Sequence, residues 1–303
     1  MKVLVIGGAG FIGSHLVDEL IRKNYQVLVL DDLSSGRKEN INNKAEFIKL
    51  DINSKKLGDA MSVFKPEVVY HLAAQKSVAA SFKNPKFDAQ INIIGSLNLL
   101  QEALKQNIKK FIFVSSAAVY GDIKKIPTPE TVKTEPLSPY GLSKLALEKY
   151  LYILASNKLE WTVFRPANVY GPRQDPEGEA GVVSIFINNI INNLPINING
   201  DGQQTRDYVY VADVVQGLVK ALNKKGGIFN ICTGQETTVN DLVKYLKEIS
   251  KKELEVKHRA TLKGEIKYSC LKLSKIKKDL NFEPKFNIKK GLKLTYKWFE
   301  NQK

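Results

Sequence analysis

The chain has 303 residues and a mass of 34.0 kDa, enough for two joined lobes, and its 43% hydrophobic and 25% charged content excludes disorder. No apolar run approaches the ~18 residues of a membrane span, and the opening MKVLVIGG is too short and glycine-bounded for a signal peptide, so a cytoplasmic protein is expected. The formal charge of +15 sits on lysines scattered along the chain, without an arginine cluster or recognition-helix pattern, so no nucleic-acid partner is expected.

The first half alternates short apolar runs of strand length with helical stretches. Strands are expected at Val3–Ile6, Val27–Leu30, Phe47–Leu50, Val68–Leu72 and Phe111–Val114, and helices at Ile12–Lys23, near Leu57–Val63 and at about 88–106. A helix over about 139–156 leads to a strand at Trp161–Arg165. This rhythm predicts an α/β fold of the Rossmann type, a doubly wound parallel sheet with helices on both faces. Beyond Arg165 the pattern loosens into the turn-rich loop Gly171–Gly181, followed by helices near Val182–Asn192 and after Val211. A strand at Gly227–Ile231 and helices at Val239–Ser250 and Ile288–Glu300 complete the series. The expected organisation is a cofactor lobe over 1–166, with return segments near 205–231, and a smaller C-terminal lobe over 167–303. A ligand would lie in the crevice between them.

Gly7-Gly8-Ala9-Gly10-Phe11-Ile12-Gly13 follows the first strand directly and opens the first helix. Glycines at 7, 10 and 13 permit a tight turn, close approach of backbone to a pyrophosphate and close helix–sheet packing. The second strand ends at Leu30-Asp31-Asp32, where an acid can accept hydrogen bonds from ribose hydroxyls and repel a 2′-phosphate. NAD rather than NADP is therefore expected, with Asp31 as the ribose ligand and Asp32 beside it. Asp51-Ile52 could flank the adenine, although Asp51 serves equally well as a turn residue. His71-Leu72-Ala73-Ala74 ends a strand at the ligand-binding edge, where Ala73 and Ala74 leave room for the cofactor; His71 reads as structural.

Tyr140-Gly-Leu-Ser-Lys144 places a phenol and an ammonium four residues apart, on one face of a helix started by Ser138 and Pro139. Oxidation at an alcohol carbon needs a base for the hydroxyl proton, and free tyrosine, with a pKa of about 10, is a poor one. A neighbouring ammonium and the positive nicotinamide both favour phenolate. Ser116, just after the strand Phe111–Val114, can reach the same substrate oxygen. Cys232 and Cys270 have no metal-ligand spacing, and no metal is expected.

With GGAGFIGSH at 7–15, LDDLSSG at 30–36, HLAAQ at 71–75, SSAAVYG at 115–121, YGLSK at 140–144, RPANVYGPRQ at 165–174, TRDYVYVADV at 205–214 and KLSKIKKDLNFEPK at 272–285, the chain resembles the extended short-chain dehydrogenase/reductases. Within them it is similar to the UDP-glucose (UDP-galactose) 4-epimerase family. The resemblance implies a transient 4-keto sugar, with Tyr140 as base, Ser116 on the C4 oxygen, and Lys144 on the nicotinamide ribose. It also implies that Arg206 and Asn168 hold the diphosphate of a UDP-sugar, a dTDP-sugar being the alternative. Lys76 and Asn92 are further candidates at the nicotinamide end, Lys76 also for the sugar, and Arg173 for the phosphates. Ser269 would form the wall that the keto sugar passes. Where relatives often carry an arginine this chain has Leu262-Lys263, so Lys263 or Arg259 would take over a phosphate contact. Ala117-Ala118 stand where dehydratase relatives place an Asp-Glu pair, which favours epimerisation. A homodimer pairing through the helices at about 88–106 and 139–156 is also implied.

Overall fold

The computed structural model describes residues 1–155, 157–177, 181–261 and 266–302. In chain order it begins with β1 (Lys2–Ile6), α1 (Phe11–Arg22), β2 (Gln26–Asp31), β3 (Glu46–Lys49), α2 (Leu57–Phe64), β4 (Val68–His71), α3 (Val78–Lys83), α4 (Pro85–Ala89), α5 (Ser96–Lys105) and β5 (Lys110–Val114). It continues through α6 (Pro139–Tyr150), β6 (Glu160–Pro166), β7 (Asn168–Tyr170), α7 (Val182–Ile191), β8 (Ile196–Asn199), β9 (Thr205–Arg206), β10 (Tyr208–Tyr210) and α8 (Val211–Lys220). The chain closes with β11 (Gly227–Ile231), β12 (Thr237–Thr238), α9 (Val239–Ser250), β13 (Val256–Arg259), β14 (Tyr268–Ser269), α10 (Ser274–Leu280) and α11 (Ile288–Glu300).

Seven strands form one parallel sheet in the order β11-β6-β5-β4-β1-β2-β3. Its strands read as continuous apolar runs because both faces are covered. Val3, Val5, Val27 and Val29 face α1, α8 and α10, whereas Leu4, Ile6, Leu28 and Leu30 face α2, α5 and α6. Each such fully buried side chain contributes about 1.5–3 kcal/mol relative to exposure. A separate cluster built from α7, β8, β10, α9 and α11 makes the C-terminal core.

From β1 the chain runs outward to β2 and β3, then crosses back to place β4 on the other side of β1. This reversal of strand order opens a crevice at the carboxyl ends of β1 and β4, where ligands of doubly wound sheets bind.

Two expected helices differ in form. The stretch near 88–106 is α4, a wide π-type turn over Gln90–Gly95, then α5. The extra residue in that turn accompanies Asn92, whose side chain is engaged on several sides, and Gly95, where a Cβ would come 2.5 Å from Ile52 Cγ2. Likewise α6 passes after Tyr150 into a π-type turn, Leu151–Ala155. Unforeseen were α3, α10 and the small strands β7–β9 and β12–β14. These are short, and α10 has only Ile276 and Leu280 as buried anchors.

Candidate active site

After β1 the backbone turns through Gly7 at φ +82°. A Cβ on Gly7 would lie 2.5 Å from Ala73 N, and one on Gly13 would lie 2.1 Å from the Gly7 carbonyl oxygen. On Gly10 the nearest atom would be 3.4 Å away. The outer two glycines are thus closed in by protein, whereas the space over Gly10 is open. Gly10 caps α1 without any side chain claiming its first-turn N–H groups, which suits a pyrophosphate. Phe11 and Ile12 turn inward against the C-terminal core, Phe11 meeting His15 edge-on at 6.1 Å. The residues present fit a dinucleotide.

Asp31, at the end of β2, is buried, and its carboxylate accepts from Ala9 N and Leu33 N, each at 2.9 Å. Burial raises its pKa while those two N–H groups pull it down. A carboxylate has about four lone-pair sites, so capacity for ribose hydroxyls remains. Asp32 turns to Ser34, accepting from its N–H and hydroxyl. Asp51 is exposed and accepts from Asn53 N at 2.7 Å, an Asx turn, while Ile52 is buried under Gly95. Ala73 and Ala74 are half-buried beside the glycine turn, and Lys76 is exposed.

The catalytic candidates converge from two elements. Ser138 caps α6 by accepting from Gly141 N, and Pro139 takes the first helical position, which fixes Tyr140 and Lys144 one turn apart. Ser116 follows β5, its hydroxyl accepting from Ala118 N at 3.1 Å and standing near enough to Tyr140 to act on its phenol. Lys144 is buried; its Nζ donates to the Val114 carbonyl at 3.0 Å and lies 4.9 Å from the centre of the Phe113 ring. Burial pushes the Lys144 ammonium down to about 8, opposed by the negative charges of Asp88 and Glu148. Burial raises the Tyr140 phenol above its ordinary value and Asp88 adds to the rise, while the Ser116 hydroxyl pulls it down. The expected lowering of the phenol pKa is therefore absent from the protein by itself.

Behind this trio lie further groups, of which Asp88 and Glu148 were marked by no sequence motif. Asp88 of α4 and Asn92 of the π-type turn are buried between the loop after β4 and α6, joined to Gln75 and Ser143. Glu148, four residues past Lys144, accepts from Ser115 Oγ at 2.6 Å and from Arg165 Nε at 3.0 Å. Arg165 lies 4.8 Å from the Tyr120 ring centre, and Tyr120 donates to Asn230 Oδ1 at 2.7 Å. The spacing of Glu148 from Lys144 and the place of Arg165 at the head of RPANVYGPRQ were the sequence signals for this pair. His71 is buried against Phe113 and bonded to Ser96 Oγ at 2.7 Å; burial and the nearby Lys144 push it down to about 3, so it stays neutral.

At the substrate end, β14 pairs in parallel with β9, Ser269 opposite Arg206 and Tyr268 opposite Thr205. Partners in register share a face of the sheet, so half-buried Ser269 lies with Arg206 while Tyr268 lies on the other side. Arg206 Nη1 donates to the Thr205 carbonyl at 2.7 Å. Asp207, buried next to it, accepts from Thr233 N, Thr233 Oγ1 and Gly234 N, which pins β9 to the turn after β11. Asn168 is exposed at the start of β7, its N–H bonded to the Asp207 carbonyl. Arg173 is held by Asp18 of α1 at 2.7 Å, and Arg37 by Asp175 at 3.8 Å. Arg259 ends the exposed β13, and Lys263 lies outside the described residues. Cys232 and Cys270 are buried and free. Among the described residues no cluster of His, Cys, Asp and Glu could hold a metal ion, and no helix is long and apolar enough to cross a membrane.

Residues 3–232 match the NAD dependent epimerase/dehydratase family. The fold superposes on a UDP-glucose 4-epimerase from Thermotoga maritima, solved with UDP-glucose, with a TM-score of 0.98 at 48% identity over 100% of this chain and 99% of that one. A UDP-glucose 4-epimerase of Thermus thermophilus in complex with NAD is similar with a TM-score of 0.94 at 38% identity, covering 99% of each chain. A UDP-N-acetylglucosamine 4-epimerase from Methanobrevibacter ruminantium, in complex with UDP-N-acetylmuramic acid, gives 0.95 at 35% identity over 100% of this chain and 99% of that one. With the glycine turn, the acid after β2 and the Ser116/Tyr140/Lys144 convergence in place along a matching length, the chain belongs to the NAD dependent epimerase/dehydratase family, among the extended short-chain dehydrogenase/reductases.

Proposed function

We propose that this protein interconverts UDP-glucose and UDP-galactose by epimerisation at C4, with tightly held NAD, a reaction without net redox change. The observation that carries this reading is the meeting of Ser116, Tyr140 and Lys144 at the crevice where the strand order reverses, beside a glycine turn open to a pyrophosphate. NAD supplies the hydride acceptor and then donor at C4, and a positive charge beside the phenol. Gly7, Gly10, Phe11, Ile12 and Gly13 hold its pyrophosphate turn, Asp31 and Asp32 the adenosine ribose, and Asp51 and Ile52 the adenine. Ala73, Ala74, Lys76 and Asn92 border the nicotinamide end. Tyr140 takes the proton of the C4 hydroxyl and returns it, Ser116 hydrogen-bonds the same oxygen, and Lys144 binds the nicotinamide ribose. Arg206 and Asn168, with Lys263, hold the diphosphate, as a guanidinium fork suits phosphate oxygens. The cofactor lobe ends near residue 166 and regains the segment near 205–231.

Ala117 and Ala118 follow Ser116 in a single 3-10 turn and cannot transfer protons, which favours epimerisation over dehydration. UDP is favoured over dTDP by the nucleotide named for the similar structures. Ser269, on the sheet face of Arg206, leaves more volume than a tyrosine and offers a hydroxyl to an acetamido group, so UDP-N-acetylhexosamines are a second substrate pair. We further propose a cytoplasmic homodimer without nucleic-acid or membrane partners. Phe82, Phe87, Ile94, Leu142, Tyr152 and Ile153 are exposed on the α3–α5 and α6 segments, an apolar face suited to a second copy.

The test is turnover of purified protein, without added cofactor, on a panel of UDP- and dTDP-hexoses. Epimerisation of UDP-galactose that disappears in Tyr140→Phe supports the reading; full turnover in that variant sinks it. Ser269→Tyr should cut kcat/KM for UDP-N-acetylgalactosamine and spare UDP-galactose. A solution mass near 34.0 kDa would exclude the dimer.

A further inference from the structure

We propose that Asp88, a buried carboxylate facing the catalytic helix from α4, is a positioning residue that fixes the place and the charge state of the Tyr140/Lys144 pair. The inference rests on the reading of that pair as catalytic. Asp88 is 1% exposed, and its segment packs on α6. Its Oδ1 accepts from Gln75 Nε2 at 2.8 Å and from Asn92 Nδ2 at 3.0 Å. The Asn92 side chain accepts from Gln75 N at 2.9 Å and reaches Ser143 Oγ at 3.1 Å, and Ser143 Oγ donates to the Tyr140 carbonyl at 2.9 Å. A continuous set of hydrogen bonds thus joins the loop after β4 to the first turn of α6.

Two amide donors on one oxygen do not require a charge, since an asparagine carbonyl would satisfy them equally. A buried carboxylate costs several kcal/mol unless a cation compensates it. Among the described residues no lysine or arginine forms a direct ion pair with Asp88, and Lys83 and Lys86 on its own stretch are exposed. The buried cation that feels its charge is Lys144. From the other elements, Lys144 faces Glu148, which Arg165 engages, and neutral His71; Tyr140 faces the Ser116 hydroxyl. Among the described residues Asp88 is the one charge that acts on both members of the pair, favouring the ammonium and disfavouring the phenolate. Its negative charge therefore keeps Lys144 protonated in a site whose burial works against it, and delays ionisation of Tyr140.

The experiment is the pH profile of turnover for the holoenzyme on UDP-galactose, in wild type, Asp88→Asn and Asp88→Glu. The acid limb reports ionisation of Tyr140 and the alkaline limb loss of the Lys144 proton. Removing the anion lowers both, so Asp88→Asn should move both limbs to lower pH by at least about half a unit, the Coulomb effect of one nearby charge at an effective dielectric near ~20. Asp88→Glu keeps the charge and should keep both limbs, with turnover reduced. Should the asparagine variant not fold, Asp88→Ser carries the same expectation. Limbs that stay in place while turnover falls at every pH would mark Asp88 as packing only and overturn the proposal. Turnover that survives in Tyr140→Phe would instead overturn the reading of the catalytic pair.

Discussion

Adding one methyl group at Gly10 should leave the fold intact and remove the cofactor. Gly10 has φ −77° and ψ 179°, a conformation alanine adopts freely, and the new Cβ would find its nearest atom at 3.4 Å. The reduced entropy of the unfolded chain stabilises by about 0.4–1 kcal/mol, and the poorer helix cap that alanine makes costs about 0.5–1 kcal/mol in return. For 303 residues the unfolding entropy is about 0.6 kcal/mol/K, so Tm should move by no more than about 1–2 °C. The same methyl occupies the open space over the turn, and NAD affinity should fall at least ~100-fold, about 2.7 kcal/mol. Gly13→Ala is the contrast: its Cβ would lie 2.1 Å from the Gly7 carbonyl oxygen, so the turn must shift. Overpacking of that kind costs about 1–3 kcal/mol, a Tm loss of about 2–5 °C together with the loss of NAD. Thermal unfolding with and without NAD, plus calorimetric titration, reads both quantities. Gly10→Ala binding NAD within threefold of wild type, or unfolding as early as Gly13→Ala, would refute the assignment of open and closed glycines.

Arg165→Met leaves Glu148 as an uncompensated buried charge and should cost about 3–5 kcal/mol, or about 5–8 °C in Tm, partly recovered in Arg165→Met/Glu148→Gln. A shift below about 1 °C would show that the pair contributes nothing net. Arg206→Ala should raise KM for the nucleotide sugar by roughly 10–100-fold through the loss of charge-assisted hydrogen bonds, with kcat less affected; an unchanged KM would move the diphosphate elsewhere. His71 has its folded pKa lowered from 6.5 to about 3, so the unfolded chain binds more protons between those values. Its contribution to stability is therefore lost as pH falls from 6.5 toward 3, opposite in sign to the raised carboxyls of Asp31, Asp207 and Asp213. In His71→Gln the acid decline in Tm should be shallower, and an identical slope would argue against a neutral buried imidazole.

What the sequence determined alone was whatever rests on local pattern. The apolar runs of the first half are strands because both their faces are covered, and the glycine turn between Ile6 and Phe11 is readable from spacing. The cap Ser138-Pro139 fixes where α6 begins, so the phase that puts Tyr140 and Lys144 on one face follows from helical geometry. Tertiary structure alone decided everything that needs two distant segments to meet. The pairing of Ser269 with Arg206 is a register between strands of two residues each, too short for any periodicity to reveal. The break of one expected helix into α4, a π-type turn and α5 depends on Asn92 and Gly95 answering neighbours elsewhere in the chain. Asp88 and Glu148 look in sequence like ordinary surface charges, and become part of the site because the fold buries them. A buried charge is defined by its surroundings, and a sequence lists residues without those surroundings.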